Sequence, residues 1–107
     1  MTKKNAGKTG VIDELLVDEK EEIIEPKRYA IVLHNDDFTT QDFVVHILVS
    51  FLFKTGSDAH QLMLKVHLEG KAKVGSYTKD IAETKINLIT SYSRKHGMPL
   101  LVTLDEA

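Results

Sequence analysis

The sequence predicts an α+β domain: a two-layer sandwich in β-α-α-β-α-β order, with a small three-stranded sheet covered by three helices and a flexible tail ahead of it. Three observations carry this expectation. A continuous apolar run, Tyr29-Ala30-Ile31-Val32-Leu33, stops at the polar stretch His34-Asn35-Asp36-Asp37-Phe38-Thr39-Thr40. Three later segments repeat apolar residues at helical spacing, each opened by a hydroxyl residue and followed by glycine. Two shorter β-type runs, residues 72–77 and 100–104, follow the second and third of them. Three strands cannot bury a face by themselves, so the helices are expected to pack on one side.

The elements follow in order. Residues 28–34 form the first strand. Thr39 is the expected N-cap of the first helix, with Asp42 at N3 in an arrangement close to a capping box. Phe43, Val44, Ile47, Leu48 and Phe51 recur at helical spacing, and Val45, Val49 and Leu52 fill the other side. This helix is therefore expected to be buried on most faces and to end at Gly56. Ser57 caps a second helix with Ala59, Leu62, Met63 and Val66 on one stripe and Gly70 just past its end. Gly75 inside the next strand marks a bulge or a close approach. Thr78 caps a third helix, where Asp80 suits the N-terminal dipole and Arg94, Lys95 and His96 suit the C-terminal one. Its core stripe is Ala82, Ile86, Ile89 and Tyr92, and Gly97 then Pro99 end it. Residues 100–104 complete the sheet.

Composition divides the chain at Pro26. Residues 1–26 are charged and hold only the apolar patches Leu15-Leu16-Val17 and Ile23-Ile24, too little to offset the entropy of ordering them. They read as a flexible extension ahead of a domain at 27–107. Seven acids and one base fall within residues 13–25, whereas the chain from Lys27 onward balances ten bases against nine acids. A nearly neutral domain with few aromatics argues against nucleic-acid binding, and Lys65, Lys71, Lys73, Lys79 and Lys85 read as a solvated face. There is no cysteine, hence no disulfide and no thiolate chemistry. No apolar run approaches the roughly 20 residues of a membrane span, and no apolar stretch follows Lys3, Lys4 and Lys8 as in a signal peptide. A cytoplasmic protein without membrane attachment is expected.

The acidic stretch has two readings. Asn and Asp after a strand favour turns, because their side chains bond nearby backbone donors. His67, at the end of an apolar helical face, equally reads as a cation at a helix C-terminus. Taken together, however, these groups can surround an ammonium, which has three donors and no acceptor. An amide oxygen from Asn35, carboxylates from Asp36 or Asp37 and a ring nitrogen from His67 would rim an apolar hole. Such a site suits the N-terminal residue of a protein, a cation attached to an apolar side chain. A metal-dependent hydrolase built on His34, Asp36, Asp37 and His67 is an alternative, although no short-spaced ligand pair supports it. A ribosome- or nucleic-acid-associated domain of the same order is another, since fold alone does not give function. No serine lies in a nucleophile-elbow context, and no catalytic residue is assigned.

Several motifs then match a known family in order and spacing. They are Asn35-Asp36-Asp37-Phe38-Thr39, Phe43-Val44, Met63-Leu64-x-Val66-His67, Gly70-Lys71, Gly75, Ala82-Glu83-Thr84-Lys85 and Pro99-Leu100-Leu101-Val102-Thr103. From Arg28 to Ala107 the chain closely resembles the ClpS family, adaptors that deliver N-degron substrates to a Clp AAA+ unfoldase. The resemblance implies a monomeric binding module, not an enzyme, with no cofactor and no metal. Its implied partners are the N-domain of a Clp unfoldase and protein substrates that begin with Leu, Phe, Tyr or Trp. It implies that Asn35, Asp37 and His67 hold the α-amino group, with Asp36 adding negative potential. Thr39, Gln41, Val44, Met63, Val66 and Leu100 would line the side-chain pocket, and Asp80, Thr84 and Lys85 would meet the unfoldase. The tail corresponds to an extension that acts in substrate hand-off. Three residues depart from the family pattern. Gln41 stands where a gating methionine is usual, His34 where an apolar wall residue is common, and Thr40 where a proline usually occupies helix position N1.

Overall fold

The computed structural model describes residues 25–107. The expected extension, 1–26, therefore lies almost wholly outside the described residues. The elements are β1 (Arg28–His34), α1 (Gln41–Leu52), α2 (Gly56–Glu69), β2 (Lys71–Thr78), α3 (Lys79–Lys95) and β3 (Leu101–Glu106), in the expected order. The sheet order is β2-β1-β3, and both pairings are antiparallel. The most apolar strand is thus the central one. Ile31 and Leu33 are completely buried and pack with Val44, Ile47 and Leu48 of α1, Met63 and Val66 of α2 and Ile89 of α3 in one core. Alternation sends Ala30 and Val32 to the other sheet face. There Val32 lies between its cross-strand neighbours Lys73 and Thr103.

Glycine 75 shows why β2 is irregular. Ile31 pairs with Gly75 but Val32 pairs with Lys73, so Val74 is an extra residue in the ladder. Val74 is buried in the core, and Tyr77, two residues beyond Gly75, lays its ring back over the glycine. A Cβ at position 75 would lie 2.7 Å from Tyr77 Cε2 and 2.9 Å from its hydroxyl oxygen. Both features expected of Gly75, a bulge beside it and a close approach onto it, are found. Burial raises the Tyr77 hydroxyl pKa above the ordinary phenol value.

The helix boundaries correct the sequence reading at several points. Thr40, not Thr39, caps α1: its backbone is extended and its hydroxyl accepts the Phe43 N–H at 3.1 Å. Asp42 is therefore at N2 and no capping box forms. Thr40 is not at N1, where the expected comparison with proline placed it. The Thr39 hydroxyl is instead directed at Asp36 Oδ2, to which it donates. Helix α1 ends at Leu52 instead of Gly56, and its C-cap is Phe53 in the left-handed region at φ 55°. For a residue with a Cβ that conformation costs about 1–2 kcal/mol. Val49 is exposed, so α1 is less enclosed than its composition implied. Thr55, not Ser57, caps α2 by accepting the Asp58 N–H, and Gly56 is the first helical residue. Gly70 ends α2 as expected, at φ 90°, with its N–H on Val66 O. Thr78 occupies the N-cap position of α3 without a side-chain cap bond. Strand β2 is longer than expected by one residue at each end, and β3 starts one residue later and runs to Glu106.

A cation locks α3 to the end of α1. Lys85 donates to the Phe51 carbonyl at 3.0 Å, and its ammonium lies 5.1 Å from the Phe53 ring centroid and 5.4 Å from that of Tyr77. The Tyr77 ring therefore serves two neighbours, Gly75 beneath it and Lys85 beside it. Replacing Gly75 by Ala should displace this ring and destabilise the domain by about 1–3 kcal/mol, the usual cost of overpacking. Urea unfolding would show the lower midpoint, and Tyr77→Leu should cost less in the Gly75→Ala background than in the wild type. An unchanged midpoint for Gly75→Ala would contradict this packing.

Candidate functional site

The loop that leaves β1 is built by Asp36. One carboxylate oxygen, Oδ1, accepts the N–H of Phe38 at 2.8 Å and of Thr39 at 2.7 Å, and the other, Oδ2, accepts the Thr39 hydroxyl at 2.7 Å. This is the turn reading of the acidic stretch, realised by its middle residue. The loop is then tied to the far end of α2: the Asn35 N–H donates to the Gly70 carbonyl at 2.8 Å. Gly70 is the left-handed cap of the helix whose last turn carries His67. The glycine lets α2 stop and return into β2, and the bond brings Asn35 beside that last turn.

Between the loop, the start of α1 and the second half of α2 lies a cavity of about 310 Å³. That volume is at the lower end of ordinary ligand pockets, about 300–1,000 Å³. Its lining is Asn35, Asp36, Asp37, Thr39, Thr40, Gln41, Val44, Met63, Val66 and His67. Val44, Met63 and Val66 are buried, whereas Asn35, Asp37, Gln41 and His67 are exposed. The site therefore joins an apolar lining to an open polar rim. Among the described residues the side chains of Asn35, Asp37, Gln41 and His67 make no hydrogen bond to protein, so their acceptors are free for a ligand.

Nearly every residue expected in the site is brought together, with two exceptions. Leu100 is fully buried and is not part of the cavity lining. Its carbonyl, with that of Met98, accepts from Arg94 Nη1 at 2.9 and 3.1 Å. His34, considered as a pocket-wall residue and as a metal ligand, instead bonds through Nε2 to the Thr103 hydroxyl at 2.8 Å across the β1–β3 pair. The sequence placed Thr40 only as a replacement for proline at N1, whereas it both caps α1 and lines the cavity. Of the two adjacent threonines the sequence reading chose Thr39 as the cap, and they are separated by the Thr40 bond to the Phe43 N–H and the Thr39 bond to Asp36. Among the described residues no group of three or more His, Cys, Asp or Glu side chains is arranged to hold a metal ion, so the hydrolase alternative finds no support.

The bonds that build the loop also set the electrostatics of Asp36. Partial desolvation pushes its carboxyl pKa up. The bonds from the Thr39 N–H, the Thr39 hydroxyl and the Phe38 N–H, helped by the charge of Arg94, more than reverse this and hold it below the usual carboxylate value. The remaining expected site residues lie on α3. Asp80 and Thr84 are exposed, and Asp80 borders a groove with Pro26, Lys27, Tyr29, Thr78 and Lys79. Lys85 is half-buried and already engaged with Phe51, Phe53 and Tyr77. Among the described residues no helix is long and apolar enough to cross a membrane.

Comparison with known proteins places the chain in a family. The family model described as ATP-dependent Clp protease adaptor protein ClpS matches residues 24–103. The ATP-dependent Clp protease adapter protein ClpS of Vibrio cholerae is 47% identical over 94 residues, covering 88% of this chain and 89% of that protein. The protein of the same name from Nitratidesulfovibrio vulgaris is 43% identical over 93 residues, covering 87% and 91%. Among solved structures, Agrobacterium tumefaciens ClpS2 bound to L-phenylalaninamide superposes with a TM-score of 0.74 at 32% identity, covering 78% of this chain and all of that one. The chain belongs to the ClpS family of Clp protease adaptors.

Asp36 should make folding acid-sensitive. Its folded-state pKa is lowered, so its stabilisation is complete above the unfolded-state value of about 3.9 and is lost as pH falls through the lower folded value. Asp36→Ala should therefore cost about 1–3 kcal/mol at pH 7 and progressively less below about pH 4. Urea titrations of both proteins across that range would test it, and a difference that stays constant down to pH 2 would contradict it.

Proposed function

We propose that this protein is an adaptor that grips the first residue of a substrate protein and presents it to a Clp AAA+ unfoldase. The observation that carries the reading is the pairing, in one cavity, of unengaged acceptors on Asn35, Asp37 and His67 with the apolar lining of Val44, Met63 and Val66. A free protein N-terminus offers the complementary pair, three N–H donors next to a side chain. Each charge-assisted bond contributes about 1.5–3 kcal/mol, and burying one large apolar side chain contributes a similar amount. The cavity suits Leu, Phe, Tyr or Trp at the first position. The phenylalaninamide held by the Agrobacterium tumefaciens protein is such a ligand, with an α-ammonium beside a benzyl group.

The partner face is read as the exposed first half of α3, with Asp80 and Thr84 contacting the N-domain of the unfoldase. Lys85 contributes there chiefly by fixing that half of the helix to Phe51, since its ammonium is already committed. The domain from residue 27 onward works as a monomer, and the acidic extension before it acts in hand-off.

Fluorescence anisotropy with labelled peptides tests the site. A peptide beginning with Phe or Leu is expected to bind, and its Nα-acetylated twin, which lacks the charge and two donors, is not. Asp37→Ala and His67→Ala should each weaken the free-amino peptide by about 1–3 kcal/mol with unchanged circular dichroism. Equal binding of the two peptides would end the α-amino reading, and normal binding by either variant would remove that residue from it. Gln41 is the chain's own departure at the rim. Gln41→Met should raise the affinity ratio of Leu over Ile at the first position, because methionine packs on the bound side chain whereas glutamine keeps its amide hydrated. An unchanged ratio would show that position 41 does not gate the pocket.

A further inference from the structure

We infer that Asp36 is a positioning residue of this pocket: it takes up the Thr39 hydroxyl and so turns a polar residue of the lining into an apolar wall. The inference rests on the pocket reading above and names the device that tunes the site to apolar first residues.

The two oxygens of Asp36 have separate tasks. Oδ1 accepts the Phe38 and Thr39 N–H groups, a turn that asparagine supplies as well as aspartate. Oδ2 accepts the Thr39 hydroxyl at 2.7 Å, which requires an acceptor and which an amide nitrogen cannot do. Thr39 lines the cavity with Val44, Met63 and Val66. A hydroxyl facing an apolar ligand is unfavourable unless its hydrogen bond is made elsewhere. Asp36 makes that bond from the loop side, so the Thr39 proton is spoken for and its rotamer is fixed with the oxygen toward Asp36. The methyl, on another bond of the same tetrahedral carbon, is what remains for the ligand.

The same bonds explain why Asp36 is not itself the ammonium acceptor. Three of the roughly four acceptor positions of its carboxylate are filled from within the loop. Asn35, Asp37 and His67 have no such engagement among the described residues. Asp36 and Asp37 are thus adjacent in sequence and different in role.

Asp36→Asn separates the tasks, because it keeps the turn acceptor and loses the hydroxyl acceptor. It should fold normally by circular dichroism, bind a Phe-initiated peptide roughly tenfold more weakly, and discriminate less between Phe and Ser at the first position. Thr39→Val needs no acceptor, so the double variant Asp36→Asn/Thr39→Val should bind within about twofold of Thr39→Val alone. In the unaltered protein, an NMR cross-relaxation signal is expected between the Thr39 methyl and the ring of a bound Phe. Unchanged peptide binding by Asp36→Asn would overturn the proposal, as would lost binding that Thr39→Val fails to restore, because the carboxylate would then be serving the ammonium directly. A silent Thr39 methyl beside a bound ring would also overturn it. Failure of the unaltered protein to bind any free-amino peptide is a different result and would instead refute the pocket reading.

Discussion

The hydrogen bond from the Asn35 N–H to the Gly70 carbonyl joins segments that are far apart in sequence and makes a single site of them. On one side is the end of the central strand, anchored by Ile31 and Leu33 in the core. On the other is the end of α2, where only a residue comfortable at φ 90° lets the chain turn into β2. His67 and Val66 lie within the last turn before that cap, and Asn35, Asp36 and Asp37 within the first turn after the strand. If the junction were lost, each group would keep its local partners but the acceptors would no longer face the same cavity. The placement of the site therefore depends on the same strand end and helix end that the core anchors.

Polar groups in this small domain divide between building and binding. Asp36 spends its oxygens on the loop, and Thr40 spends its hydroxyl on the first turn of α1. Lys85 spends its ammonium on Phe51 and two rings, and Arg94 its guanidinium on the carbonyls of Met98 and Leu100. The groups left over, Asn35, Asp37, Gln41 and His67, are exposed and gather at one rim. A ligand that brings its own donors meets acceptors that no protein donor has to release, and ordering these exposed side chains costs about 0.5–1.5 kcal/mol each.

Much of this was legible in the sequence, for identifiable reasons. The central strand was placed to the residue because its apolar run is continuous and ends in a polar stretch with strong turn chemistry. Gly70 and Gly75 were read correctly because each answers a backbone requirement. The caps of α1 and α2 were misplaced because hydroxyl residues stand near one another, Thr39 beside Thr40 and Thr55 close to Ser57. The choice is made at α1 by the Thr39 hydroxyl donating to Asp36, and at α2 by the Asp58 N–H donating to the Thr55 hydroxyl. The end of α1 was misread because Phe53 takes a left-handed conformation that the nearby Gly56 would adopt at lower cost. In the site, residue types indicated the acceptors, and the family resemblance implied the individual lining residues. They did not reveal that Asp36 faces inward to its own loop, that Lys85 is occupied, or that Leu100 is sealed in the core. Those are facts of three-dimensional packing, and each concerns which of several available partners a side chain takes.

The most direct test of the account is a crystal structure of this protein with a short peptide that begins with Phe. The peptide nitrogen is expected within about 2.7–3.2 Å of acceptors from at least two of Asn35, Asp37 and His67, with the phenyl ring against Val44, Met63 and Val66 and with the Asp36 carboxylate still on Phe38 and Thr39. A peptide held through its backbone at a sheet edge, or with its first side chain in solvent, would contradict the account.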